Sequence, residues 1–386
     1  MSADPDQDYF ADGLTEDLTT DLTNVAVGRG LLVISRTTAF TYKDRNATVD
    51  EIARQLGVRY VLEGSVRKAQ GRLRITAQLI DAETGFHIWS ERYDRDISDL
   101  FAVQEEVVQE IVDALQLEIS LEAVKLLRRK TTDDLSAYDA YMRGMAHFVR
   151  FTRADHAEAR PFFARAVELD PQFAESWVYL GQLEIFERVF GWNLSPERTQ
   201  RASDYAQRAI SLDPRNRGAN VLVALLALSR NAPDAVDIIE RTAKLAPQHP
   251  GALILLASVR YGQGKISDAE ELMQRVARLN PDGPVTLTAF AFQAAQAGRV
   301  DEAAALWERS LTMGPDNVSV LISLADYYQT AGRNEDARRM VKEILRVKPD
   351  HTAGSVAELL GMFRGLRAPA ASDRVVENLR AAGLPD

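Results

Sequence analysis

The feature that most limits the fold of this chain is a repeat of about 34 residues in its second half. Prolines recur there at intervals of 43, 33, 34, 34 and 34 residues, and an alanine stands twelve residues before each. The pairs are Ala159 and Pro171, Ala202 and Pro214, Ala235 and Pro247, Ala269 and Pro281, Ala303 and Pro315, and Ala337 and Pro349. A fixed period of this length is typical of stacked units that bury a core only together.

Each repeat is predicted to form two helices joined by a tight turn. The small alanine lets the second helix approach its partner closely, and the proline ends that helix because it lacks the N–H that the helix needs. Glycines followed by a basic residue are expected to end the first helix in three repeats, at Gly264, Gly298 and Gly332. We therefore expect six helical hairpins over residues 136–350, followed by capping helices over residues 351–386.

One interval departs from the period. The spacing of 43 residues exceeds a 34-residue period by nine, and the surplus lies around residues 190–196, with the sequence Phe-Gly-Trp-Asn-Leu-Ser-Pro. We interpret this surplus as a longer loop between the two helices of one hairpin.

The first part of the chain has a different pattern, in which short helices alternate with strands. Leucines spaced four apart predict an amphipathic helix that begins near Asp12, and the apolar run at residues 31–34 is interpreted as a buried strand. Thr48 and Glu51 match a capping box, which predicts a short helix ending at Gly57. The leucines of the first helix are Leu14, Leu18 and Leu22.

Three segments with alternating apolar and polar residues follow, at residues 60–68, 72–81 and 86–92. The residues expected on the apolar face are Leu62, Val66, Leu73, Ile75, Ala77, Leu79 and Ile88. Those expected on the polar face are Glu63, Arg67, Arg72, Arg74, Thr76, Gln78 and Trp89. A sheet with one apolar face needs helices on that side only, and a further amphipathic helix is predicted from residue 97 to about 117.

The predicted fold class is therefore an α+β N-terminal domain, with a mixed sheet and helices on one face, followed by an all-α solenoid. The expected boundaries are residues 1–118 for the first domain, 119–135 for a linker helix and 136–350 for the solenoid.

Composition excludes several classes of function. The chain has 46 basic and 56 acidic residues, a net charge of −10, which argues against a protein that coats nucleic acid or an anionic membrane. It has no cysteine, so disulfides and thiolate metal sites are excluded, and we expect a cytoplasmic location. The longest apolar run, residues 219–229, is far shorter than the roughly 20 residues that a membrane span requires.

No catalytic, cofactor-binding or metal-binding residues are predicted. The five histidines are scattered, and the residues at 262–265 lack the first glycine and the hydroxyl of a phosphate-binding loop. The basic cluster at residues 128–130 is interpreted as a solvated helix end. An acidic group on the first helix is interpreted as favourable charge near a helix N-terminus. Its members are Asp12, Glu16, Asp17 and Asp21.

The period and the Ala–Pro pattern resemble the tetratricopeptide repeat. This resemblance implies that the first helix of each hairpin lines a concave surface that binds a protein or peptide. The residues placed on that surface are Asn220, Ile254, Ser258, Tyr261, Thr288, Phe292, Ile322 and Asp326. Because these side chains are mainly apolar or aromatic, we expect an apolar or amphipathic segment as partner rather than a carboxylate, with packing between repeats as the alternative for any one residue.

The first domain resembles the TolB-like N-terminal domain. The resemblance is carried by residues 9–18 (YFADGLTEDL), 60–66 (YVLEGSV), 78–85 (QLIDAETG) and 89–94 (WSERYD). TolB-like domains precede tetratricopeptide arrays in the C-terminal part of bacterial class III adenylate and guanylate cyclases and in some winged-helix transcriptional regulators. The resemblance implies a regulatory scaffold attached to cyclic-nucleotide signalling, with the enzyme's C-terminal part or a transcriptional regulator as alternatives.

The resemblance also implies an apolar strand before residue 9 that this sequence lacks. We expect a sheet without that strand to be less protected than the repeats, or to form a homodimer through its open edge.

Overall fold

The structure, a computed structural model, describes residues 8–26, 31–43, 45, 47–117, 132–362 and 369–386. The chain divides into two units, Met1–Ala146 and His147–Asp386. The basic cluster at 128–130 and most of the predicted linker helix lie outside the described residues.

The first unit contains short helices and a three-stranded antiparallel sheet in the order β1-β2-β3. Its strands are β1 (Tyr60–Ala69), β2 (Arg72–Asp81) and β3 (Phe86–Asp96). Its helices are α1 (Asp8–Ala26), α2 (Arg36–Ala39), α3 (Val49–Leu56), α4 (Leu100–Ala114) and α5 (Leu135–Phe148), the last of which crosses the division. Short 3₁₀ turns follow α2 and β3, at Phe40–Tyr42 and Ile97–Asp99.

Local signals determine several of these boundaries. Thr48 and Glu51 form the predicted capping box, with the Glu51 N–H donating to the Thr48 hydroxyl and the Thr48 N–H donating to the Glu51 carboxylate. Gly57 ends α3 in the left-handed region at a φ of 65°, a conformation that favours glycine because it has no Cβ. Leu14 is buried on α1 as the leucine stripe predicts.

The apolar face of the sheet is correctly predicted for β1 and β2 but wrong for β3. The register shifts between Leu79 and Ile80, so that Leu79 lies opposite Trp89 and Ile80 lies opposite His87. This irregularity leaves Ile88 out of the pairing and 40% exposed. Because residues directly opposite share a face, Trp89 lies on the apolar side. Its indole donates to Glu110 of α4 at 2.8 Å.

The predicted strand at residues 31–34 is also wrong. These residues have no regular secondary structure and are partly or largely exposed. The described sheet is consequently antiparallel rather than mixed. An apolar run of four residues cannot by itself distinguish a strand from a loop that packs apolar side chains.

The second unit continues as helical hairpins. Its first helix is α6 (Arg153–Leu169). The first helix of each following hairpin is α7 (Ala174–Val189), α9 (Arg217–Ser229), α11 (Pro250–Gly262), α13 (Pro284–Gln296) and α15 (Val318–Thr330). The second helices are α8 (Pro196–Leu212), α10 (Ala235–Leu245), α12 (Ile266–Leu279), α14 (Val300–Met313) and α16 (Asn334–Val347), and α6 ends at a repeat proline in the same way. Two further helices follow, α17 (Ala353–Gly361) and α18 (Pro369–Ala381).

The repeat signature accounts for this geometry. Each second helix ends two residues before a repeat proline, as expected from a residue that cannot extend it. All six repeat alanines are buried, and five of them have no exposed surface. Gly264, Gly298 and Gly332 lie between paired helices at φ values of 73°, 77° and 73°. The fold class is confirmed as a small sheet-containing unit followed by an all-α solenoid of helical hairpins.

Within the described ranges, every helix is too short or too polar to cross a membrane.

Candidate functional site

A cavity of about 230 Å³ lies in the second unit, among the first helices of successive hairpins. We call it the concave cavity. It is lined by residues of α7, α9, α11, α13, α15 and α17, and by Met273 of α12. Six of the eight predicted groove residues line it, and these are Ile254, Ser258, Tyr261, Thr288, Phe292 and Ile322. Counting back from each proline located them because the repeat places equivalent positions of each first helix on one surface.

The other two predicted residues lie outside the concave cavity and have structural partners. The Asn220 amide donates to the carbonyl oxygens of Asn216 at 2.7 Å and Pro214 at 3.1 Å, which fixes the start of α9. Asp326 accepts a hydrogen bond from Asn378 at 2.6 Å and pairs with Arg374 at 3.5 Å. The C-terminal helix α18 therefore uses the position that the repeat pattern assigns to a partner.

Sequence reasoning missed two parts of the wall. Leu359 and Leu360 come from α17, which lacks the repeat proline that located the other helices. Val189 and Phe190 come from the end of α7 and the loop behind it. The nine-residue surplus marked this loop as unusual, but the length of a loop does not indicate which helices it contacts.

The loop between α7 and α8, residues 190–195, is here called the insert. It contacts α15 directly: the Val318 N–H donates to the Phe190 carbonyl at 2.9 Å. The Trp192 indole donates to the carbonyl of Asp316 at 2.5 Å. Phe190, Trp192 and Leu194 belong to the same buried cluster as the residues of α15 and α17.

Gly191 permits this close approach. Its φ is 76°, and a Cβ at this position would lie 2.9 Å from the Cβ of Val318 and 3.1 Å from Leu359. Only glycine meets both requirements without strain. The insert therefore completes one side of the concave cavity.

An aromatic cluster behind the insert contains the buried histidine His156. Its ring lies 5.1 Å from that of Phe148 and 5.0 Å from that of Trp192. Burial lowers the pKa of His156 to about 4, because the charged imidazolium would lose its hydration. This histidine is a neutral core residue.

The acidic group on α1 forms structural contacts within the first unit. Asp12 pairs with Lys43 at 2.8 Å and with Arg36 at 3.6 Å. Asp17 accepts a hydrogen bond from the Tyr138 hydroxyl, and burial raises the pKa of Asp17 to about 7. In the part of the chain that the structure describes, no cluster of three histidine or carboxylate side chains is arranged to hold a metal ion.

On the polar face of the sheet, two of the arginines that the sequence places there are paired within the protein. Arg72 and Arg74 both pair with Asp94, at 2.9 and 2.6 Å. Trp89, expected beside them, lies on the opposite face. The concave cavity is thus the better candidate for a binding site.

Comparison with known proteins agrees with the repeat architecture. The tetratricopeptide repeat family, through its sequence model, matches residues 226–286 and 294–359. A protein named "Putative adenylate cyclase 3" from Rhizobium meliloti (strain 1021) is 42% identical over 214 residues. The match covers 55% of this chain and 36% of that protein, so the chain spans only about a third of its relative.

Solved tetratricopeptide structures show a distant likeness. TTC0263 from Thermus thermophilus is 19% identical with a TM-score of 0.37, covering 50% of this chain and 98% of its own. YrrB, described as having an unusual peptide-binding site, is 18% identical with a TM-score of 0.29, covering 49% and 93%. At these TM-scores the likeness does not extend to a site.

Proposed function

We propose that this chain is a non-catalytic protein-interaction scaffold whose concave cavity binds an apolar or amphipathic segment of a partner. The observation that carries this proposal is the lining of the cavity, in which aliphatic and aromatic side chains from successive repeats converge. Concave surfaces with aromatic anchors are typical of sites that accept the apolar face of a helix.

Direct binding with helical peptides would test this function. We expect a display library of amphipathic helical 20-residue peptides to yield binders whose apolar residues recur at three- and four-residue spacing. Phe292→Ala and Tyr261→Ala should each weaken such a peptide about fivefold or more, since aromatic anchors commonly contribute more than about 1 kcal/mol. Tyr205→Ala, outside the cavity lining, is the matched control.

Equal affinity of the wild-type protein and the Phe292→Ala/Tyr261→Ala double variant would contradict this site. The site would also be contradicted if the selected peptides bound the Tyr205→Ala control and the two cavity variants with the same affinity. A library that yields no binder above background would contradict segment binding itself.

We further propose that the scaffold regulates cyclic-nucleotide signalling in the cytoplasm. The support is the 42% identity to a protein whose name specifies an adenylate cyclase. That relative also favours the second candidate, in which this chain is the C-terminal part of a cyclase polypeptide. Reading the gene in frame upstream of Met1 separates the two, because a catalytic domain encoded there would establish the second.

The chain itself is expected to be inactive as a cyclase. The sequence contains neither paired metal-binding aspartates nor a phosphate-binding loop of the kind that this chemistry needs. Purified protein, freed of host enzymes, should form no cyclic AMP or cyclic GMP from ATP or GTP with Mg²⁺ or Mn²⁺. Measurable product that co-purifies with the chain would overturn the non-catalytic proposal.

A further inference from the structure

The chemistry of the concave cavity restricts what can occupy its interior. None of the described residues that line it is charged. Transfer of an ionised group into such surroundings without a partner is strongly unfavourable. An occupant of the interior is therefore expected to be neutral.

Most polar side chains of the lining already have partners. The Ser258 hydroxyl donates to the Ile254 carbonyl at 2.9 Å, and the Thr288 hydroxyl shares a hydrogen bond with Ser310 at 2.9 Å. The Ser319 hydroxyl donates to the carbonyl of Val189. These groups are satisfied by the protein and do not need a ligand.

Two polar atoms of lining residues differ. The Tyr261 hydroxyl and the Gln293 side-chain nitrogen are withdrawn from solvent and have no hydrogen-bond partner. A buried donor without an acceptor costs free energy. Because neither atom has accessible surface, an occupant's oxygen reaches it only after the side chain rotates toward the cavity. An accepting oxygen would then relieve that cost, and a hydrocarbon would not.

The volume limits what fits wholly inside the cavity. At about 230 Å³ it is larger than the cavities of about 150 Å³ that are known to take up benzene. A compact small molecule therefore fits inside it.

We propose that the concave cavity binds a small, neutral, largely apolar molecule with one hydrogen-bond-accepting oxygen, such as a ketone or an ester. Tyr261 and Gln293 supply the donors, and the aliphatic and aromatic lining packs around the apolar body. The inference goes beyond segment binding and does not depend on it. A bound molecule would compete with any partner side chains that enter the same volume.

Three probes of one skeleton test the proposal by titration calorimetry. Propiophenone carries a neutral carbonyl, propylbenzene lacks an acceptor, and 3-phenylpropanoate is charged. We expect propiophenone to bind with an affinity about threefold to tenfold above that of propylbenzene, the range of one net hydrogen bond. Binding of 3-phenylpropanoate should be undetectable.

Variants assign the binding to this cavity. Tyr261→Phe combined with Gln293→Met keeps the volume and removes both donors, so propiophenone should fall to the affinity of propylbenzene. Ser258→Phe should fill the cavity and abolish binding of both. Ser211→Phe, at an exposed position of α8, is the control for an added phenyl ring. Circular dichroism confirms that each variant is folded, and the double variant decides the matter if Ser258→Phe does not fold.

Three results would overturn the proposal: no binding of propiophenone to the wild-type chain, equal affinities for all three probes, or unchanged propiophenone binding by the double variant. Failure here with intact peptide binding would remove the small-molecule site and leave the proposed scaffold function. If propiophenone binds as expected but no peptide distinguishes the cavity variants from the wild type, the small-molecule site stands and segment binding in this cavity is excluded.

Discussion

Two parts of the solenoid reach stability by different means. In the regular repeats, from α11 to α16, three-residue turns connect the paired helices, and the alanines at the helix crossings have no exposed surface. In the hairpin α7–α8 the connection is the six-residue insert, in which Trp192 contacts Asp316, 124 residues further along the chain. Regular repeats depend on their neighbours, whereas this hairpin depends on charged groups and distant contacts.

The charged groups that distinguish the hairpin α7–α8 surround Glu184. Its side chain on α7 is 2% exposed and pairs with Arg160, Arg198 and Arg201. Arg198 and Arg160 also pair with Glu187 at 2.8 and 2.6 Å. Where the regular repeats have solvent-exposed pairs such as Arg299 and Glu302, this hairpin has a buried carboxylate among guanidinium groups.

The largest expected effect comes from removing that carboxylate charge. Glu184→Gln leaves three guanidinium groups without their shared partner, and breaking a buried pair costs about 3–5 kcal/mol. Since two of the arginines are partly exposed, we expect the lower end, about 3 kcal/mol. Chemical denaturation would measure this loss. Glu302→Gln, in the exposed pair, should change stability by less than about 1 kcal/mol, and equal losses would show that burial is irrelevant.

The buried histidine His156 makes the stability of the chain depend on pH. Its pKa is lowered to about 4 in the folded protein, so the unfolded chain binds more protons between about pH 6.5 and 4. Stability should therefore fall as the pH falls through this window, by up to about 3 kcal/mol from this residue at about 1.4 kcal/mol per pKa unit. His156→Phe should reduce the slope measured by denaturation at pH 4–7. Part of the slope should remain, because burial also lowers the pKa values of His249 and His351 to about 4. A slope unchanged in the variant would exclude His156 as its source.

The crossing alanines test the regular repeats. Ala303 has no exposed surface, so Ala303→Leu should overpack its crossing and cost roughly 1–3 kcal/mol. Ala305, two residues away on α14, is exposed, and Ala305→Leu should be close to neutral. Thermal melts of the two variants that agree within error would mean that the repeat register is misassigned.

The smallest expected effect is at Gly191 in the insert. Gly191→Ala places a Cβ against Val318 at a positive φ, which should cost about 1–2 kcal/mol. Gly332→Ala has the same positive φ but an unobstructed Cβ, so it should cost less. The denaturation midpoints of the two variants give this comparison. A larger loss of stability for Gly332→Ala would show that the contact between the insert and Val318 adjusts to the added Cβ without cost.

These regions also differ in how far the sequence could predict them. The ends of the second helices followed from prolines within two residues, and the repeat register brought six of the eight predicted residues to the lining of one cavity. Both depend on local geometry. The displacement of Ile88 and Trp89 depends on how β3 pairs with β2, and the contact of Phe190 with Val318 joins distant segments. No local pattern encodes either arrangement, so the strand face and the cavity wall could not be predicted.

The insert has a consequence for how this array can evolve. In most tandem repeat proteins each unit contacts only its neighbours, so the gain or loss of a whole unit leaves the other contacts intact. Here three hairpins, α9–α10, α11–α12 and α13–α14, separate the insert from α15. Loss or duplication of one would displace Val318 from the Phe190 carbonyl and leave the Trp192 indole without its acceptor. The insert therefore constrains the number of repeats between these two points, and the hydrogen bond from Arg153 to the Val347 carbonyl constrains a longer interval, from α6 to α16.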